Sequence, residues 1–196
     1  RIKRGNAKRF PNVSITLAEQ LAVHHFHLIS GLVPVEDIKR DEVPRILREL
    51  MVDGLIVDYV KMIPPRLKRL IENTRVPSVW LNARLDSACV YPDDFNAAHA
   101  ATVRLIEAGH RRITYVSMLN DGEESHYSQR DRRCGYEKAM REAGRSAEVL
   151  QHGEESMGGL RRDLEKVLSR KRRPTAILAY DDREAYVTVT AALSKG

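Results

Sequence analysis

At 196 residues and 42% hydrophobic content, the chain has room for one full domain or two small lobes and too much apolar material for a disordered segment. No apolar run approaches the ~20 residues of a membrane-spanning helix. The net charge of +6 is concentrated at the start, where Arg1, Lys3, Arg4, Lys8 and Arg9 stand without an acid, so that +1 remains for the rest and a strongly basic body is excluded.

After this basic tail or linker (1–10), apolar and amphipathic runs alternate. FHLISGLV (26–33) reads as a strand. DEVPRILRELMV (41–52) places Val43, Ile46, Leu47, Leu50 and Met51 at helical spacing. GLIVDYV (54–60) is a short strand. PPRLKRLIENTR (64–75) is a helix entered through Pro, and PSVWLN (77–82) is a strand. DDFNAAHAATVRLIEAG (93–109) opens on two carboxylates and closes on Gly109, as a helix should. RITYVSM (112–118) is a strand, and SQRDRRCGYEKAMREAG (128–144) is a helix ending in a second Gly. AEVLQH (147–152) is a strand. MGGLRRDLEKVLSRKRR (157–173) is a helix with cations at its carboxyl end. TAILAYDD (175–182) is a strand, followed by the start of a helix.

Alternating β and α with continuous apolar strands predicts parallel sheets covered on both faces. Ligands in such folds bind at the carboxyl ends of the strands. Polar residues stand at those ends: Asp58 and Tyr59, Asn82 and Arg84, the loop 119–128, and Tyr180, Asp181 and Asp182.

Several chemistries find no support. HHFH (24–27) puts His25 and His27 on one strand face without Cys or carboxylate partners at ligand spacing, so a surface or junction role outweighs metal. No phosphate-binding glycine loop and no nucleophile elbow is present. GEES occurs at 122–125 and 153–156, each time in a polar connection. Asp58 alone would suit a phospho-acceptor receiver domain, but the paired acids and the late Lys of such a domain are missing. Cys89 and Cys134 lie far apart without CxxC spacing, which argues against a disulfide framework or zinc site and fits a reducing compartment.

One long patterned stretch remains. Val90, Asp93, Asp94, Ala97 and Ala98 are followed by Gly109, His110, Arg111, Arg112 and Ile113. Arg132, Gly135, Tyr136, Ala139 and Met140 form a second element, PTAILAYDDREA (174–185) a third, and LMVDGLIV (50–57) a fourth. Together they resemble, from about residue 20 to 196, the lac-repressor (LacI) family of bacterial transcription regulators. The resemblance implies an α/β, two-lobed periplasmic-binding-protein-like (type I) fold, with parallel sheets flanked by helices and incomplete at both ends. It implies an N-terminal lobe over 11–109 that lacks its first strand and a truncated C-terminal lobe over 110–196, with the GHRRI junction at the passage between them. His110, Arg111 and Arg112 are expected to bond the last carbonyls of the preceding helix.

Family members bind a small effector between the lobes. Carried over residue by residue, the ligand-binding positions are Arg132, Asp181, Asp58, Asn82 and Tyr59. Asp181 stands where many members have Asn; the exchange removes two donors and adds a charge, which favours a neutral, hydroxyl-rich ligand. Asp181 is also expected to hold Arg132 when the cleft is empty. Trp80 is either core or a stacking surface for a sugar. The resemblance thus implies a cytoplasmic, non-enzymatic effector-binding region without cofactor or metal. It would bind a small-molecule effector, a sugar by preference, form a homodimer, avoid membranes, and reach operator DNA only through a helix-turn-helix missing from these residues. The alternative is a solute-binding protein of a sugar-uptake system.

Overall fold

A computed structural model describes residues 11–31, 52–59, 63–118, 125–153 and 156–195. The basic tail 1–10 and, but for its last residue, the expected helix over 41–52 lie outside the described residues. The chain divides into two compact units, one of residues 1–55 and 64–77, the other of residues 56–63 and 78–196.

In the first unit lie helix α1 (Pro11–Val23) and helix α2 (Pro65–Asn73). Helix α2 buries Leu67 and Ile71, four residues apart on one face. Thr74 ends it by donating its hydroxyl to the Ile71 carbonyl at 2.7 Å. Helix α1 was not visible in the sequence, because β-branched Val13, Ile15, Thr16 and Val23 depress helix propensity and no clean apolar stripe marks it. The strand expected at 26–33 is not formed over its described part, which is irregular through Gly31. His25 takes a left-handed φ of 60° and the Phe26 amide bonds back to the Leu21 carbonyl at 2.9 Å, so these residues finish a helix. Phe26 and Ile29 remain exposed.

The second unit carries most of the parallel architecture. Strands β1 (Leu55–Asp58, whose first residue belongs to the other unit), β2 (Ser78–Leu81) and β3 (Cys89–Val90) form one sheet in the order β1-β2-β3. Strands β4 (Ile113–Ser117), β5 (Glu148–Gln151) and β6 (Ala176–Ala179) form the other in the order β5-β4-β6, with β4 parallel to both neighbours. Helices α3 (Asp94–Glu107), α4 (Tyr127–Glu142), α5 (Met157–Leu168) and α6 (Asp182–Leu193) flank these strands. The α/β expectation therefore holds, with two three-stranded parallel sheets flanked by helices.

Strand alternation explains why β4 is buried along its whole length. Ile113 and Tyr115 face Tyr136 and Met140 of α4 and Leu105 and Ile106 of α3. Val116, with Met118 beyond the strand end, faces Leu160 and Leu164 of α5 and Val187 and Ala191 of α6. Leu160 and Leu164 are fully buried, each worth about 1.5–3 kcal/mol of apolar transfer. Tyr136 adds a polar stitch: its hydroxyl donates to the Ile113 carbonyl at 2.8 Å and accepts from the Glu148 amide at 2.8 Å, bridging β4 and β5.

Helices α3 and α4 end alike. Gly109 (φ 90°) and Gly144 (φ 65°) take the left-handed conformation, and the amides of His110 and Arg145 reach back to the carbonyls of Leu105 and Met140. The basic side chains of the GHRRI junction do other work. Arg112 Nε donates to the Arg173 carbonyl at 2.7 Å, and His110 Nδ1 meets Thr175 Oγ1 at 3.1 Å, tying the entry of β4 to the entry of β6. Helix α5 stops at Leu168, before the run of cations that was read as its last turn.

Candidate functional site

Helix α4 starts at the carboxyl end of the second sheet and presents two stripes. Ser128, Arg132, Tyr136 and Ala139 recur at helical spacing and face inward; Tyr127, Arg130, Asp131 and Cys134 border an open cleft. Arg132 lies on the inward stripe. Its Nε donates to Asp94 Oδ1 at 2.6 Å and its Nη1 to the Tyr180 carbonyl at 2.5 Å, while the guanidinium lies 4.9 Å from the Tyr180 ring centroid. Burial works against the Arg132 charge, but the hydrogen bond to Asp94 and its charge more than compensate and hold the guanidinium firmly protonated.

The two acids opening α3 therefore have separate roles. Asp93 is exposed and caps the helix, accepting from the Asn96 amide at 3.1 Å. Asp94 is 3% exposed and is the carboxylate that holds Arg132; the Tyr127 hydroxyl also bonds to it. Sequence reasoning assigned the holding role to Asp181. The Asp181 side chain instead caps α6, accepting from the Arg183 amide at 2.8 Å, and lies 3.6 Å from the Arg183 guanidinium. The reason is local: Asp181 is the residue before the helix, where a short acceptor satisfies first-turn amides at no cost in reach.

Beside Asp181 lies Glu184, a completely buried carboxyl whose Oε1 accepts from the Met118 amide at 2.9 Å. Burial first, and then the hydrogen bond to Asp181 and its charge, push Glu184 up to about 7. Burial opposes ionisation of Asp181 too, but hydrogen bonds from Glu184 and the Arg183 amide outweigh it, so its carboxyl is held below its ordinary value. Below about pH 7 one proton is thus kept on Glu184, while Asp181 stays an anionic acceptor.

A buried relay joins the ends of β2 and β6 through the start of α4. The Asn82 carbonyl can only accept, so His126 Nε2, 2.7 Å away, carries the proton. His126 Nδ1 is then the acceptor facing Ser128 Oγ at 2.7 Å, and Ser128 Oγ in turn meets the Tyr180 hydroxyl at 2.8 Å. Asn82 adopts a left-handed φ of 54°, which Asn tolerates better than most residues, and its Oδ1 accepts from the Tyr127 hydroxyl at 3.4 Å. Burial and the neighbouring Asp94 charge push the Tyr127 phenol well above its ordinary value.

The predicted residues are thus placed as follows. Arg132 and Asn82 lie on the network that links β2, α4 and β6, while Asp181, next in sequence to Tyr180, bonds to Arg183 and Glu184 instead. Asp58 closes β1 and Tyr59 follows it, placed by the first sheet rather than by these bonds. Trp80 is 4% exposed and belongs to the core. The sequence placed Tyr180 and the loop 119–128, which holds His126 and Ser128, at strand ends suited to a site, but assigned a binding role to none of them, nor to Asp94. The spacing of Ser128 and Arg132, one helical turn apart, is a further signal. An open cleft of about 1230 Å³ borders the network at His126 and Tyr127 and is lined also by Arg84, Tyr91, Phe95 and Asp131, with Arg84 Nη1 bonding both Asp131 oxygens at 2.8 and 3.2 Å.

Residues 12–196 match the family model described as periplasmic binding proteins and sugar binding domain of LacI family. Among curated proteins, the HTH-type transcriptional regulator GalR of Escherichia coli is 29% identical over 188 residues, which cover 90% of this chain and 52% of GalR. The HTH-type transcriptional repressor PurR of Aliivibrio salmonicida is 28% identical over 156 residues, covering 77% of this chain and 44% of PurR. The chain spans about half the length of these relatives. Among solved structures, a regulatory protein of LacI family from Chloroflexus aggregans superposes with a TM-score of 0.75 at 27% identity, covering 93% of this chain and 66% of that one. Fold, motif order and matched length agree: the chain belongs to the LacI family, in the non-enzymatic, periplasmic-binding-protein-like region that serves as the effector-binding domain of its transcription regulators.

Proposed function

We propose that this region binds a small, neutral, hydroxyl-rich effector, a sugar by preference, through Arg132 and Asp181, with Asn82, Asp58 and Tyr59 completing the site. Binding would bias a regulator between DNA-bound and released states, in the cytoplasm. The observation that carries the reading is Arg132 itself. Its guanidinium is held from behind by Asp94 and the Tyr180 carbonyl yet remains about one-third exposed. Neighbouring sugar oxygens can accept from the exposed side of the guanidinium fork. A guanidinium already paired with the Asp94 carboxylate favours a neutral ligand over a phosphorylated one. For binding to act on DNA, the effector must prefer one state of the regulator over the other.

A thermal-shift screen of neutral pentoses and hexoses beside their phosphates, followed by calorimetry on the complete domain, tests this. A neutral sugar should raise the melting temperature, and Arg132→Ala should weaken its binding by about 1.5–3 kcal/mol, the scale of a charged hydrogen bond. Because that variant leaves Asp94 buried without its cation, circular dichroism must first show it folded. A folded Arg132→Ala protein that binds the sugar as tightly as the parent, or a screen answered only by anions, would refute the reading.

A further inference from the structure

The body of the chain is close to neutral, yet its charges are not evenly spread. At the amino ends of the second sheet, Arg111 and Arg112 precede β4, Arg145 precedes β5, and the run Arg170–Arg173 with Lys171 precedes β6. The fold forces these loops together. Arg112 Nε reaches the Arg173 carbonyl at 2.7 Å, the Thr175 amide bonds the Arg112 carbonyl at 2.8 Å, and Arg145 donates to the His110 carbonyl. Arg170 pairs with Glu148.

Some positive charge is expected here, because α3, α4 and α5 all end at this edge and each carboxyl terminus carries about half a negative charge. The magnitudes do not balance. Glu107, Glu148 and the three helix ends take up about half of the seven cations, leaving a surplus of roughly three to four positive charges. Glu142 is already engaged by His99 at 2.6 Å and Lys138 at 3.4 Å. Helix termination alone therefore does not account for this edge.

We propose that this basic edge is a contact surface for the phosphodiester backbone of duplex DNA, without sequence preference. Three features select that partner. The cations are guanidiniums but for Lys171, and a guanidinium fork matches phosphate oxygens in pairs. The loops 109–112, 144–147 and 169–175 contain no Phe, Tyr or Trp on which unpaired bases could stack, which disfavours single strands. No large apolar side chain is exposed in these loops, so the anchor that a protein interface or a lipid surface uses is missing. The surface is distinct from the effector network, which lies at the opposite, carboxyl ends of the same strands.

The test uses the whole chain and a fluorescent random-sequence duplex of about 20 base pairs, titrated between about 50 and 200 mM salt. Lys171, Arg172 and Arg173 are exposed and their side chains have no partner among the described residues, so replacing all three with Ala should not disturb the fold. The triple variant should bind about 10-fold or more weakly at the low-salt end. Its plot of log affinity against log salt should be shallower by about two to three units, since each phosphate contact contributes about 0.9. The control replaces Arg66, Lys68 and Arg69 on α2 with Ala, removing the same charge elsewhere; its slope should change by less than about one unit. Equal effects of the two variants, or an unchanged slope in the first, would overturn the proposal. So would tighter binding to an acidic peptide or to vesicles of anionic lipid than to the duplex.

Discussion

Arg132 shows how far a residue-scale reading reaches. Its place in a patterned element made it the residue to watch, and the structure sets it on the inward stripe of α4. Its partner was not legible, because Asp93 and Asp94 look alike in sequence and both suit a helix amino terminus. Only packing against α4 distinguishes the exposed cap from the buried counter-charge. Glu184 is a second case, a carboxylate hidden in a helical run that burial makes unusual. Its pKa is raised in the native state to about 7, so the folded protein binds that proton more tightly than the unfolded chain does. The stability it contributes is fully present below the unfolded value of about 4.3 and is lost as pH rises toward 7. Glu184→Gln fixes the neutral form. We expect it to raise stability more at pH 8 than at pH 5, by a difference of about 1–3 kcal/mol, as read by denaturant unfolding at the two pH values. A gain at pH 5 as large as that at pH 8 would show that the proton plays no part.

At the scale of elements, the alternation of apolar strands with amphipathic helices was legible for most of the second unit, since both periods are strong there. Strand β3, two residues long, is too short to carry a pattern. The irregular segment after α1 shows the converse: an apolar run forms a strand only where it pairs, and residues 26–31 pair with no strand among the described residues. The contact between α3 and α4 was marked in the sequence by a single Gly. A Cβ on Gly135 would lie 2.2 Å from the Phe95 carbonyl oxygen and 3.0 Å from the His99 amide nitrogen, so the two helix backbones meet at this point. Gly135→Ala must push them apart and with them the Asp94–Arg132 pair. A loss of about 2–3 kcal/mol is expected. Gly158, in the first turn of α5, is the contrast: its nearest atom is 3.9 Å away, and Gly158→Ala should be neutral or stabilise by up to about 1 kcal/mol. Equal melting temperatures for the two variants would mean that α3 and α4 do not need this approach.

For the molecule as a whole, what the sequence reading could not supply was surface. Patterning tells which face of a helix is buried but not which exposed face is shared with another molecule. Helix α6 illustrates the limit. Val187 and Ala191 pack inward, as the periodicity demands, while Tyr186, Val189 and Leu193 line the opposite side and are 66%, 57% and 77% exposed. Three large apolar side chains one turn apart on a solvent face are costly to leave in water, and such stripes mark association surfaces. A homodimer, which the family resemblance implies, would give this stripe a partner in the same helix of a second copy, since a two-fold interface pairs a patch with itself. Sedimentation velocity of the complete domain should then show a dimer. Tyr186→Asp combined with Val189→Asp should shift it to monomer while circular dichroism stays unchanged, because neither side chain supports the core. A complete domain that remains monomeric at high concentration, or a dimer indifferent to both substitutions, would place the association surface elsewhere.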